Sequence, residues 1–159
     1  MTVHCYPDPG ELASGAGETF YRHVKILALQ KRDIHIAFSG GSTPAAFFDC
    51  LAAQQGTPDK QTDWSRIHLW WVDERCVPHN HPESNVGMTQ RHLLQYLPKT
   101  GLQVHPILEG PPQQESARYE NEIREVTHTP GGIPEFDWIF LGMGEDGHTA
   151  SIFPDRPDL

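Results

Sequence analysis

Three polar clusters hold the side chains of this chain that could do chemistry. The last is Gly142-Met-Gly-Glu-Asp-Gly-His148, where His148 stands two residues beyond Asp146. An imidazole titrates near neutral pH and can take and return a proton, while the Asp146 carboxylate can orient it or a reacting hydroxyl. With ten histidines in the chain, the competing reading of His148 is a structural hydrogen bond. The middle cluster is Asp73-Glu74-Arg75. There a carboxylate could handle a proton or a sugar hydroxyl, and Arg75 could meet an anion through bidentate hydrogen bonds. Charges are also expected at that point simply because the chain is reaching water. The first cluster is Ser39-Gly-Gly-Ser-Thr-Pro44. A glycine turn that opens a helix offers unpaired N–H groups and the positive end of the helix dipole, which suit a phosphate or a carboxylate. Ser42 and Thr43 add hydroxyl donors, and the bland alternative is a capped turn without a ligand.

Two other chemistries are weaker. Gly142, Gly144 and Gly147 formally match the dinucleotide pattern GxGxxG. That fingerprint needs a following strand with an acid about 20 residues further on to hold the ribose, and the chain supplies none. No lysine follows the first glycine turn, so it is not a nucleotide P-loop. Cys76, His79 and His81 could ligate zinc in principle, but no fourth ligand stands at a recognisable spacing.

The elements that must position these clusters are legible from hydrophobic patterning. Apolar spacing predicts a helix from Glu11 to Gln30, and β-branched residues predict a strand from Ile34 to Phe38. The glycine turn then leads into a helix from Ala45 to Gln54, with Thr43 as its cap and Pro44 in its first turn. Ile67 to Asp73 is a nearly continuous apolar strand of the type covered on both faces in a parallel sheet. A helix from Asn85 to Leu97 stops at Pro98. A short strand from Gln103 to Leu108, a charged and solvent-facing helix from Gln113 to Thr127, and a strand from Phe136 to Leu141 complete the series. Strands alternating with helices predict an α/β fold: a three-layer, Rossmann-like open sheet, mainly parallel, with helices on both faces. Each polar cluster immediately follows a strand, and ligands of such sheets bind beyond the carboxyl ends of the strands.

Composition narrows the classes of function. The 159 residues, 37% of them apolar, are read as a single domain over 1–159. Twelve Lys and Arg against twenty-one Asp and Glu give a net charge of −9. Such a surface repels a nucleic-acid backbone, and the longest basic run is only Lys31-Arg32, so no nucleic-acid partner is expected. An anionic small molecule remains admissible where a site is locally positive. Three cysteines, with no CxxC pair, read as reduced thiols of a cytoplasmic protein. No segment approaches the ~20 apolar residues of a membrane span, and the N-terminus lacks a signal-peptide pattern.

Taken together, Phe38-Ser-Gly-Gly-Ser-Thr-Pro44, Val72-Asp-Glu-Arg-Cys-Val-Pro78 with Ser84-Asn85, and Leu141-Gly-Met-Gly-Glu-Asp-Gly-His-Thr-Ala-Ser-Ile-Phe-Pro154 resemble the 6-phosphogluconolactonase family. That family shares its fold with glucosamine-6-phosphate deaminase and other sugar-phosphate isomerases. The resemblance implies hydrolysis of 6-phospho-D-glucono-1,5-lactone, a phosphorylated sugar lactone, to 6-phosphogluconate without metal or organic cofactor. It implies His148 as the base that activates water and Asp146 as its partner. Gly40, Gly41, Ser42 and Thr43 would line the substrate and phosphate pocket, Arg75 would bind anionic oxygen, and Asp73 and Asn85 would contact the sugar. In the deaminases the glycine-histidine motif continues into an Asn-Glu-Pro, where this chain has Ile152-Phe153-Pro154. The deaminase reading, with Asp73 moving a proton between neighbouring carbons, and that of a non-catalytic sugar-phosphate-binding module are the alternatives. Family members continue beyond this Phe-Pro for a substantial C-terminal portion. The chain is therefore expected to be C-terminally truncated, with an exposed sheet edge that favours association into a homo-oligomer.

Overall fold

A computed structural model describes residues 2–30, 33–57, 62–99 and 101–156, which leaves Lys31-Arg32 and the last three residues outside the described part. Helix α1 spans Pro9–Ala28; Asp8 caps it by accepting from the Glu11 N–H at 2.9 Å, and a proline occupies its first turn. Strand β1, Ile34–Phe38, matches its expected bounds, and all five of its residues are buried. Helix α2 spans Ser42–Ala53, β2 Ile67–Trp71 and α3 Asn85–His92. Strand β3, Gln103–His105, helix α4, Pro112–Val126, and strand β4, Trp138–Ile139, follow. The four strands form one parallel sheet in the order β3-β2-β1-β4.

Several expected boundaries move, each for a physical reason. Helix α2 begins earlier than the pattern suggests and is capped by Gly41, not Thr43. Gly41 has φ +113°, which L side chains rarely adopt, and no side chain bonds to the helix start. Helix α3 stops at His92 because Leu93 leaves helical geometry at φ −134°; a 3₁₀ turn over Leu94–Tyr96 then keeps both Leu93 and Leu97 in the core. Strands β2 and β3 are shorter than their apolar runs at the carboxyl end, and β4 is shorter at both ends. Helix α4 is not wholly solvent-facing: Glu115 and Tyr119 are buried.

The sheet has two unlike faces. On one, Ile34, Ile36 and Phe38 of β1 and Ile67 and Leu69 of β2 pack with Phe20 of α1 and Phe47, Phe48 and Leu51 of α2. Each large side chain fully buried there is worth roughly 1.5–3 kcal/mol relative to exposure. On the other, Ala37, Trp70 and Tyr119 meet under α4. This second face also carries a row of imidazoles from three adjacent strands. The rings of His35 and His68 lie 4.7 Å apart, and His68 Nδ1 is 2.9 Å from His105 Nε2. His105 Nδ1 meets Glu122 Oε1 of α4 at 2.7 Å, and the Trp70 indole donates to His35 Nδ1 at 3.3 Å. Burial above all, then the neighbouring His35 and His105, pushes His68 down to about 4 against the weaker pull of Asp33. Among the described residues, no helix is long and apolar enough to cross a membrane.

Candidate active site

The chain passes from β1 outward to β2 and β3, then returns to place β4 on the other side of β1. Strand order therefore reverses at β1, and the crevice beyond the carboxyl ends of β1 and β4 is where an open α/β sheet binds its ligands. A cavity of about 530 Å³ occupies that crevice. Its walls include Gly40, Gly41, Ser42 and Thr43 from the first turn, Asp73, Arg75 and Asn85 from the second, and His148 from the third. Asp146 does not line it and stands behind His148. Phe38, Phe47 and Phe140 give it an apolar side. A second cavity of about 600 Å³, which Arg75 also lines, lies against α4 and contains neither His148 nor the glycine turn.

Local hydrogen bonds hold each wall. The Ser39 hydroxyl donates to the Phe140 carbonyl at 3.0 Å, joining the ends of β1 and β4. In the third loop, Gly144 N–H donates to the His148 carbonyl at 2.8 Å, and Gly147 takes φ +84°. A Cβ at Gly144 would lie 2.2 Å from His148 Cε1, so only glycine lets the ring rest there. Asp146 Oδ1 lies 2.5 Å from His148 Nδ1 and also accepts from the His148 N–H at 3.3 Å. The His148 bonds hold the Asp146 carboxyl below its usual range, so it is ionised at neutral pH. With Nδ1 directed at a carboxylate, Nε2 is the ring nitrogen available to a reacting group. The Phe153 ring lies 4.8 Å from the imidazole.

The second wall is more heavily braced. The Asn85 amide donates to the Asp73 carbonyl at 2.9 Å and to Asp73 Oδ1 at 3.1 Å. Ser151, from the loop that carries His148, donates to Asp73 Oδ2 at 2.7 Å. Asp73 thus connects the second and third clusters, which lie far apart in the chain. Asn85 is buried and sits so close to Gly40 that a Cβ there would be 1.7 Å from Asn85 Oδ1. Among the described residues the Arg75 guanidinium has no hydrogen bond or ion pair, which leaves a fixed cation open to an anion. Cys76, His79 and His81 do not gather: the His79 ring lies 2.8 Å from the Ile107 carbonyl oxygen and His81 Nδ1 accepts from the Glu83 N–H at 3.2 Å.

Residues the motif reading did not single out also contribute. Ser39 and Ser151 supply cross-links between clusters, and Glu74 faces away from the cavity onto α3. A readable signal existed for Glu74 alone, since residues alternate in direction along an extended segment and both its neighbours face the cavity.

Known proteins resemble the chain in both sequence and fold. The chain is 44% identical over 148 residues to a 6-phosphogluconolactonase of Haemophilus influenzae, which covers 92% of this chain and 61% of that relative. The crystal structure of a protein named devB superposes with a TM-score of 0.83 at 38% identity, covering 95% of this chain and 61% of that one. A 6-phosphogluconolactonase from Thermotoga maritima superposes with a TM-score of 0.74 at 31% identity, covering 89% of this chain and 60% of that one. The chain therefore spans about three fifths of the length of these relatives. Residues 7–159 match the family described as glucosamine-6-phosphate isomerases/6-phosphogluconolactonase, and it is to this family that the chain belongs.

Proposed function

We propose that the protein carrying this chain hydrolyses 6-phospho-D-glucono-1,5-lactone to 6-phosphogluconate. The observation that carries the reading is that an imidazole backed by an ionised carboxylate and an uncommitted guanidinium open onto one cavity beside a glycine turn. A lactone carbonyl is already electrophilic, so what it needs is a placed water, a base and donors for the developing oxyanion. His148 Nε2 takes the proton of the attacking water while Asp146 holds Nδ1–H and so fixes the tautomer. Collapse of the tetrahedral intermediate breaks the bond to the ring oxygen, and the imidazolium returns its proton to that oxygen. N–H groups of the turn at Gly40 to Thr43 and the Arg75 guanidinium suit the anionic oxygens of the substrate. Asp73 and Asn85 face its hydroxyls.

The isomerase or deaminase reading is less well served. Phe153 packs against His148 at the place where the deaminase motif carries an acid. One experiment separates the two: the complete protein is incubated with substrate in deuterated water. Acid release from the lactone without carbon-bound deuterium is expected, whereas deuterium at carbon would identify the isomerase class and overturn the proposal.

A further inference from the structure

Along Val72-Asp-Glu-Arg75, Asp73 and Arg75 face the cavity and Glu74 turns to the opposite side, onto the start of α3. Its carboxylate accepts four hydrogen bonds there. Oε1 takes the backbone N–H groups of Arg75 and Asn85, both at 2.7 Å. Oε2 takes the Ser84 hydroxyl at 2.9 Å and the Val86 N–H at 2.8 Å. Helix α3 already has a cap, because Ser84 Oγ accepts from the Gly87 N–H at 2.9 Å. Glu74 therefore does more than begin a helix: it joins the first turn of α3 to the backbone of the residue that presents the site's open cation. The same turn carries Asn85, whose amide holds Asp73.

The geometry points to Glu74 as a positioning residue that fixes the two side chains flanking it, Asp73 and Arg75, at the substrate cavity; this rests on the lactonase reading given above. A carboxylate suits the task because both of its oxygens only accept. A glutamine would turn an NH₂ toward one of the two donor pairs and leave those N–H or O–H groups facing a donor. The helix N-terminus further favours a negative charge at this spot.

The test is a double-mutant cycle in the complete protein between Glu74→Gln and Arg75→Ala, read as kcat and KM for the lactone. If Glu74 acts through Arg75, E74Q raises KM roughly tenfold to a hundredfold with a smaller change in kcat, because an ion-pairing group binds ground state and transition state alike. In the R75A background the same substitution then changes KM by no more than about twofold, and Glu74→Asp, which keeps the acceptor oxygens but is one methylene short of its donors, raises KM by a smaller factor of about three to ten in the wild-type background. Full multiplication of the two effects, or an unchanged KM for E74Q, would overturn the assignment. Should E74Q not fold, the cycle is run with E74D against R75A, where coupled effects support the assignment and multiplied ones defeat it. Absence of lactone turnover in the wild-type protein would instead count against the proposed function alone. The positioning role is then read from calorimetric binding of inorganic phosphate, where coupling between the same two substitutions supports it and independent effects overturn it.

Discussion

His148 and the row formed by His35, His68 and His105 use one side chain in opposite settings. The row is inside the molecule, where imidazoles partner one another, a tryptophan and Glu122, and where burial keeps His68 neutral at pH 7. His148 stands on a glycine loop at the mouth of a cavity, with its near ring nitrogen on an ionised carboxylate. The difference teaches that residue type does not decide whether a histidine is a reagent. What decides is whether water and a ligand can reach one ring nitrogen while the other is held.

The contrast makes four quantitative expectations. The largest concerns chemistry: His148→Ala should lower lactone turnover by roughly 10²- to 10⁴-fold, measured as acid release under saturating substrate. A variant as active as wild type would move His148 into the same class as the buried row. Next comes acid sensitivity of the row. His68 has a folded value of about 4 against an ordinary 6.5, so between these values the unfolded chain binds the proton more readily. Its contribution to stability is whole above pH 6.5 and is lost as the pH falls toward 4. Urea unfolding at pH 7 and pH 4.5 should register most of that loss, and His68→Gln should flatten the dependence.

Smaller effects test the wall opposite His148. Asn85→Ala removes a buried amide and leaves the half-buried Asp73 without two of its bonds, and should cost about 1–3 kcal/mol of unfolding free energy, read from the urea midpoint. The smallest expectation closes the comparison: His148→Ala should alter the same midpoint by less than about 0.5 kcal/mol, because its loop contributes little to the core. A large drop would show that the loop is a structural support.

Much of the fold was legible because the two central strands are buried on both faces and so read as apolar runs; β1 follows its run from Ile34 to Phe38 residue for residue. The ends of the other strands were not, since ladder pairing depends on where a neighbouring strand stops: β4 pairs only over Trp138–Ile139 of a run expected from Phe136 to Leu141. The helix cap at Gly41 was masked by the better-known preference for a hydroxyl, which Thr43 satisfied on paper. Of the site, eight of the nine expected residues line one cavity and the ninth, Asp146, holds His148. What stayed hidden was the bracing. The Ser151 bond to Asp73 joins residues 78 apart, and no local pattern in the chain encodes it. The imidazole row had a faint signal in the alternate positions of His35, His68 and Trp70, which a period of two assigns to one face.

The closeness of Gly40 and Asn85 has an evolutionary consequence. Any larger residue at position 40 would first require a smaller one at position 85, and that change strips Asp73 of its amide partner before anything is gained. Drift at either place must therefore cross an impaired ancestor, and the two sites, lying in separate motifs, should be inherited as one unit.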